Sequence, residues 1–381
     1  MDLRKFTGDS PGKLIPIGRG ECAFVPDPLP ANFQFQTSLW PLLADAKAKI
    51  QLLEGIGRTL PNPGLLLRPL EDREALQSSR LEGTYITARD FLLFDLSNED
   101  ENRGSAGNDW REVNNYRRAL HYGLSSELPF CVRLIREMHR ILTTGIGRSD
   151  VSPGEIRKLQ VAIGANNRFV PPPREHLDEC LAVFEAYLHE STSPDPLIHC
   201  FLCHYQFETI HPFSDGNGRV GRLLLALMMH RLCGLSKPWL YLSDVLERRR
   251  DEYCQKLFDV SAEGNWTNWI EFCLNVTIRQ VDATVERCTR LQELRQEMTQ
   301  RVNCSGGSVR LNKIVDGLFD SPFVRVTKVR DTQGVTYPTA KADCERLVDI
   351  GILSMLPSLS PTTYYSKEIF QVAFEDLESE I

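Results

Sequence analysis

Nothing in this 381-residue chain stays apolar for long. Its longest apolar run, Leu223 to Met229, falls far short of the ~20 residues that a membrane-spanning helix needs. No membrane partner is expected. The opening Met-Asp-Leu-Arg-Lys-Phe carries no apolar segment, so no secretory signal is expected either. Positive charge is not in excess: 44 Lys and Arg stand against 51 Asp and Glu, for a net charge of −7. The whole chain therefore gives no reason to expect nucleic acid or an anionic surface as partner. Eleven cysteines are present without framework spacing, which points to free thiols in a reducing compartment. These absences together lead to the expectation of a cytoplasmic protein. Apolar and charged fractions of 42% and 25% are those of an ordinary globular chain, long enough for two or three domains.

Taken in order, residues 1 to about 36 are rich in Pro and Gly and read as an extended arm on the body of the protein. Apolar residues at helical spacing follow (Leu39, Leu42, Leu43, Ile50, Leu53), up to a Pro-Asn-Pro-Gly break at 61–64. Leu70 to Gly83 is acidic at its start and ends in glycine, both helix signals. Ser78 and Glu82 share one face of it. Local features alone describe a surface helix with a glycine cap. Residues 98–109 read as a polar loop, Trp110–Leu120 and Pro129–Thr143 as helices, and 150–156 as a turn. Leu159–Ile163 and Arg168–Val170 flank Gly-Ala-Asn-Asn, which predicts a β-hairpin, a candidate docking flap. Helices are predicted at 174–190, 196–209, 220–232, 243–260, 266–285 and 285–302. Cys200 and Cys203 beside His199 and His204 suggest a metal site only weakly. No second cysteine pair completes a structural zinc, and cysteine is commonly a small buried hydrophobe.

Asn303-Cys-Ser-Gly-Gly-Ser308 reads as a linker. Beyond it, a helix, a helix-turn-helix and a two-stranded wing suit a winged-helix domain. Its second helix, from Lys341, has more acids than bases, which favours protein contact or dimerisation over DNA binding. The expected domains are 1–109, 110–302 and 303–381.

The stretch His211-Pro-Phe-Ser-Asp-Gly-Asn-Gly-Arg-Val-Gly-Arg222 gathers a base, a carboxylate, glycines and two arginines at a helix start. Free amides and a positive dipole end make such a start an anion site, and a neighbouring histidine suggests proton transfer. Three lookalikes fail. A dinucleotide fingerprint needs a preceding strand, where a helical run stands. A P-loop needs Gly-Lys-Ser/Thr, where Gly221-Arg222-Leu223 stands. An EF-hand loop needs acids at the places of His211, Phe213 and Arg222.

His-x-Phe-x-Asp-Gly-Asn-Gly-Arg-x-x-Arg resembles the signature of the Fic (filamentation induced by cAMP) domain at every fixed position. The likeness extends to Glu112–Tyr116, the Gln160–Pro173 hairpin, His204–Ile210 and Trp266–Phe272. It implies a mainly α fold, a Fic-type helical core with a β-hairpin flap, plus a C-terminal winged-helix domain. It also implies transfer of AMP from ATP to a Tyr, Ser or Thr hydroxyl of a target protein, with pyrophosphate released.

Carried over by this resemblance, His211 is the general base, Phe213 fixes the loop and Asp215 holds Mg²⁺. The nucleotide site spans Gly216, Asn217, Gly218, Arg219, Val220, Gly221 and Arg222, with the two arginines on the outer phosphates. The flap, Val161 to Phe169, aligns the target by strand addition. One position departs: Cys254 follows Tyr253 where many relatives have a second tyrosine near the adenine. Ser78-x-x-x-Glu82-Gly83 resembles the family's inhibitory motif, and this implies that Glu82 pairs with Arg222 and blocks the productive γ-phosphate pose. Family analogy adds a homodimer. Two other functions remain open: removal of AMP with the help of the inhibitory glutamate, and a winged-helix regulator that binds DNA or protein.

Overall fold

The computed structural model describes all residues except 19, 60–63, 97–103, 147–151, 166–167, 190–192, 358–360 and 379–381. Most of the break at 61–64 and the first half of the polar loop at 98–109 therefore lie outside the described residues.

The chain begins with two antiparallel strands, β1 (Gly12–Gly18) and β2 (Glu21–Pro26). The arm thus contains a hairpin, where proline and glycine content alone had suggested only extended chain. Phe24 anchors it among Phe169, Phe258 and Ala262, and Phe24 N–H donates to Val170 O at 2.8 Å. Helices follow: α1 (Trp40–Thr59), α2 (Gly64–Arg80), α3 (Ala88–Leu96), α4 (Gly104–Ser125), α5 (Val132–Thr143), α6 (Arg174–His189), α7 (Pro196–Ile210), α8 (Asn217–Leu232), α9 (Ser243–Arg248), α10 (Arg250–Glu263) and α11 (Trp266–Cys304). Residues 104–109 belong to α4, not to the expected loop. The two helices expected at 266–302 are a single α11, because no glycine, proline or cap interrupts that stretch.

Packing divides the chain into two compact units. The first comprises Met1–Glu54, Gln77–Thr84 and Arg111–Val281; the second comprises Gly55–Leu76, Tyr85–Trp110 and Asp282–Ile381. The core of the first is the pair α7 and α8. Asp195 caps α7, with Oδ1 accepting from Leu197 N–H at 2.9 Å, and Pro196 occupies its first turn. Almost every side chain of both helices is buried, including the polar His199, His204, Arg219 and Arg222. In α5 the buried Leu134, Ile135, Met138 and Leu142 recur at helical spacing. Cys200 and Cys203 lie buried, and His199 contacts Ser193 and Cys203. Among the described residues no group of three or more His, Cys, Asp or Glu side chains gathers as a metal cage.

The second unit contains α12 (Val309–Asp320), β3 (Phe323–Arg325), α13 (Val326–Gln333), α14 (Tyr337–Asp349), β4 (Ser354–Met355), β5 (Thr363–Tyr365) and α15 (Lys367–Glu378). Its sheet has the order β3-β5-β4, all antiparallel, one strand more than the expected two-stranded wing. Arginines on α11 tie this unit together: Arg295 to Asp316 at 2.7 Å and Arg301 to Glu368 at 2.7 Å. No described helix is long and apolar enough to cross a membrane.

The helix that sequence features placed at the surface is buried. From Pro69 to Leu81 every residue of α2 and its exit is shielded, including Asp72, Arg73, Glu74, Gln77 and Ser78. Its polar residues reach partners deep in the protein rather than solvent. Within the second unit, Arg73 donates to Asp376 Oδ1 and Oδ2 at 2.6 and 2.8 Å.

Candidate active site

His211 closes α7. Its backbone is left-handed, with φ 49° and ψ 61°, a conformation that costs a non-glycine residue of order 1–3 kcal/mol. Neighbours hold it there. Arg157 Nε donates to His211 O at 2.9 Å, and Arg157 N–H donates to Pro212 O at 2.9 Å. His211 Nδ1 lies 3.2 Å from Glu208 O. A carbonyl only accepts, so the proton sits on Nδ1 and Nε2 keeps its lone pair. Burial pushes the imidazole down to about 4, outweighing the backbone bond to Glu208. At neutral pH His211 is a neutral base.

The loop after it is closed from several sides. Asn217 bonds Phe213 in both directions: its Oδ1 accepts from Phe213 N–H at 2.8 Å and its Nδ2 donates to Phe213 O at 2.9 Å. The Phe213 ring stacks on His139, with centroids 3.8 Å apart. Gly154 N–H donates to His139 Nδ1 at 2.9 Å, so Nε2 carries the proton and donates to Asp215 O at 3.0 Å. Burial lowers His139 to about 4, which keeps it neutral in this role.

The loop delivers the chain to the start of α8. Gly216 is its N-cap, and Asp215 Oδ1 accepts Gly216 N–H at 2.7 Å. The amides of Asn217, Gly218 and Arg219 precede the first intrahelical bond, which Val220 N–H makes to Gly216 O at 3.0 Å. The first three amides of α8 thus have no intrahelical acceptor. Val220 is buried within the helix, and Gly221 lies against Glu208, whose Oε1 is 2.2 Å from where a Cβ would stand. Asp215 is about a third exposed and has its Oδ2 3.9 Å from Arg219 Nη2. One accessible carboxylate beside an anion cradle suits Mg²⁺ arriving with a nucleotide better than it suits an all-protein metal site.

The two arginines are buried and held differently. Arg219 Nη1 donates to Glu112 Oε2 at 2.8 Å, and its Nε has no partner. Arg222 is claimed by the end of α2. Its Nε donates to Ser78 Oγ at 2.8 Å, and its Nη2 donates to Ser78 O at 2.8 Å and to Glu82 Oε1 at 2.7 Å. Burial would raise the Glu82 carboxyl, but Arg222 outweighs it and the group stays below its ordinary value.

Local geometry explains why Glu82 is followed by glycine. Thr84 N–H donates to Ser79 O and Gly83 N–H to Arg80 O, the paired bonds of a Schellman turn. Gly83 has φ +88° and open space where a Cβ would stand, so it is the backbone angle that asks for glycine. At Gly218 the reason is different. A Cβ there would lie 2.2 Å from Glu82 Oε1, so the Glu82 carboxylate rests against the first turn of α8. A carboxylate occupies the end of the helix where an anion is favoured.

The structure therefore brings His211, Asp215, Gly218, Arg219, Arg222, Ser78 and Glu82 together, with Gly83 shaping the approach. The flap is reduced. Among the described residues, Ile163 and Phe169 form a single bridge, with N–H···O bonds of 2.8 and 3.1 Å, not two paired strands. Proline at 171–173 and the left-handed Gly164 leave no room for a longer ladder. Tyr253 is buried with its hydroxyl 2.8 Å from His204 Nε2, whereas Cys254 is exposed. Glu112, His139, Arg157 and Thr84 carry site contacts that sequence reasoning had not assigned. Only Glu112 lay in a stretch already singled out.

Fold and site together define a helical protein with a neutral histidine beside the start of α8, where the Glu82 carboxylate of the same chain rests. The Fic/DOC family N-terminal model matches residues 40–125, and the Fic/DOC family model matches residues 129–229. These two matched stretches are what the chain shares with the Fic/DOC family. It is similar to protein adenylyltransferase fic-1 of Caenorhabditis briggsae, 40% identical over 100 residues, covering 26% of this chain and 18% of that protein. It is also similar to protein adenylyltransferase Fic of Drosophila grimshawi, 28% identical over 166 residues, covering 43% and 32%. The chain thus spans about a fifth to a third of the length of these relatives. Among solved structures, a Fic family protein from Desulfovibrio desulfuricans shares the fold at TM-score 0.57 and 17% identity, over 88% of this chain and 97% of that one. Fic-1 from Caenorhabditis elegans does so at 0.52 and 22%, over 68% and 76%.

Proposed function

We propose that the protein is a self-inhibited protein adenylyltransferase, which moves AMP from ATP to a hydroxyl of a target protein. The observation that carries this reading is the pairing of Arg222 with Ser78 and Glu82 next to the neutral His211. His211 Nε2 takes the proton of the target hydroxyl as its oxygen attacks the α-phosphorus. The bond from that phosphorus to the bridging oxygen breaks, and pyrophosphate leaves. The amides of Asn217, Gly218 and Arg219 and the two guanidinium groups bind the outer phosphates. Asp215 would hold Mg²⁺, which would supply charge neutralisation. The Glu82 carboxylate competes with the γ-phosphate for Arg222, so release of the end of α2 precedes a productive pose. The segment around Ile163 and Phe169 presents a backbone edge to the target chain.

Residues 303–381 are read as a winged-helix domain for protein contact, including self-association. Its acid-rich α14 argues against DNA, and Asp343 there is already paired with Arg310 at 3.0 Å. Eleven free thiols fit a cytoplasmic setting.

The test uses ATP labelled at the α-phosphate, with Mg²⁺, and reads label on the protein itself or on lysate proteins. Glu82→Gly raises incorporation at least tenfold. His211→Ala in that background lowers it by about 10²–10⁴-fold. Unchanged incorporation in Glu82→Gly removes the inhibition, and retained incorporation in His211→Ala removes the base.

A further inference from the structure

The end of α2 meets the site at a second place. Thr84 Oγ1 donates to Glu112 Oε2 at 2.8 Å. The same oxygen accepts Arg219 Nη1 at 2.8 Å. All three residues are buried. Glu112 comes from α4, Thr84 from the turn after α2, and Arg219 from the first turn of α8, so three separate elements converge on one carboxylate oxygen.

We infer that Glu112 is a positioning residue for Arg219, and that Thr84 binds the inhibitory turn to it, so that the turn engages both motif arginines. The inference rests on the reading of Glu82 as inhibitory and extends it to a second contact. A buried guanidinium needs a fixed counter-charge, and Glu112 supplies it at one corner of Arg219. Nε is left without a partner and Nη2 stands 3.9 Å from Asp215, which leaves donors on Arg219 for an anion. The Schellman turn sets Thr84 two residues beyond Glu82, so both contacts form or break as one piece. Ser78 and Glu82 hold the turn to Arg222, while Thr84 holds it to the partner of Arg219. An oxygen that accepts from a charged and a neutral donor at once gives the neutral one a charge-assisted bond, stronger than an ordinary hydroxyl contact.

The experiment follows two readouts on the full chain. The first is incorporation of α-labelled ATP by the isosteric Thr84→Val, which removes only the hydroxyl. It rises on the order of tenfold in the otherwise native protein and does not change in the Glu82→Gly background, where the turn is already released. The second is binding of ATP and of AMP, by titration calorimetry, to Glu82→Gly with and without Glu112→Gln. ATP affinity falls about tenfold while AMP affinity holds, because only ATP carries the outer phosphates that Arg219 meets. Loss of both affinities together, or of neither, overturns the positioning role. Native-level incorporation in Thr84→Val, with Glu82→Gly activated, overturns the second contact and leaves the Glu82 reading standing. If Glu82→Gly itself is not activated, that reading falls and takes the Thr84 contact with it, while the ratio of ATP to AMP affinity still decides the role of Glu112.

Discussion

Two helix ends meet in this site, and they are held in opposite ways. The turn from α7 into α8 is fixed by side-chain and backbone bonds to its own amides and carbonyls. Asn217 locks Phe213, His139 locks Asp215 O, and Arg157 locks the carbonyls of His211 and Pro212. The turn that ends α2 is held at Ser78, Glu82 and Thr84 by Arg222 and by the Glu112 that carries Arg219. The first turn can keep its geometry through a reaction cycle, because an arriving nucleotide offers no substitute for an amide–carbonyl pair buried beneath it. The second is held by charge-assisted bonds that phosphate oxygens can replace one for one. Under the proposed function, a catalytic loop gains from permanence, whereas an inhibitor gains from contacts that its competitor can also make.

Three measurements sharpen or break that contrast. The largest effect is expected at Asn217. Asn217→Ala removes two buried bonds and leaves the Phe213 amide and carbonyl unpaired, at a cost of about 2–4 kcal/mol in folding stability. Transfer in a Glu82→Gly background falls by two orders of magnitude because the loop is no longer closed. Denaturant unfolding checks the first figure and labelled ATP the second. If stability falls as expected but transfer does not, permanence of the loop is not what catalysis uses.

An intermediate effect is expected at Glu208, which sits on α7 but faces the other turn. Burial, opposed by Arg222 and reinforced by Glu82, pushes this carboxyl up to about 8. Tyr253 and Cys254 of α10 face it as well. A raised carboxyl favours the protonated fold. Its ionisation therefore removes stability as pH climbs from the ordinary carboxyl value of 4.5 through about 8. Glu208→Gln lacks that slope, so its advantage over the native protein grows across this window, as melting curves at pH 5, 6.5 and 8 will show. A constant difference between the two proteins would mean that Glu208 ionises freely and that the site tolerates two charged carboxylates.

The smallest effect belongs to Gly83. Gly83→Ala meets no atom, yet it must adopt φ +88°, so the turn is weakened by about 1 kcal/mol. Basal transfer rises severalfold, less than in Glu82→Gly, in the same labelled-ATP assay. No rise would place the control of Arg222 in Ser78 alone.

The contrast also explains what could be read before the fold was seen. His211 to Arg222 was legible because its groups lie within one turn and their spacing is the geometry. Ser78 and Glu82 were legible only through the resemblance, since local charge and the terminal glycine describe an exposed helix equally well. What buries α2 is the set of partners for its polar residues, 140 or more positions away in the case of Arg222, and no local pattern encodes them. The same holds for Arg157 and His139, which come from a loop and a helix with no motif of their own. The His139 position on the buried face of α5 was the one available hint. The hairpin β1–β2 was obscured by its glycines and prolines, whereas α7 and α8 stand where helices were expected at 196–209 and 220–232.

One residue in the site sits against its own backbone preference. Position 211 is held in a left-handed conformation where glycine would be the relaxed choice, yet the proposed transfer needs an imidazole there. Selection for a sturdier molecule and selection for a working one therefore favour different amino acids at the same codon. The reinforcement around the loop, from Arg157 to Asn217, is what lets the costlier choice persist. Stabilised descendants of this chain that retain activity should accumulate their changes away from that turn.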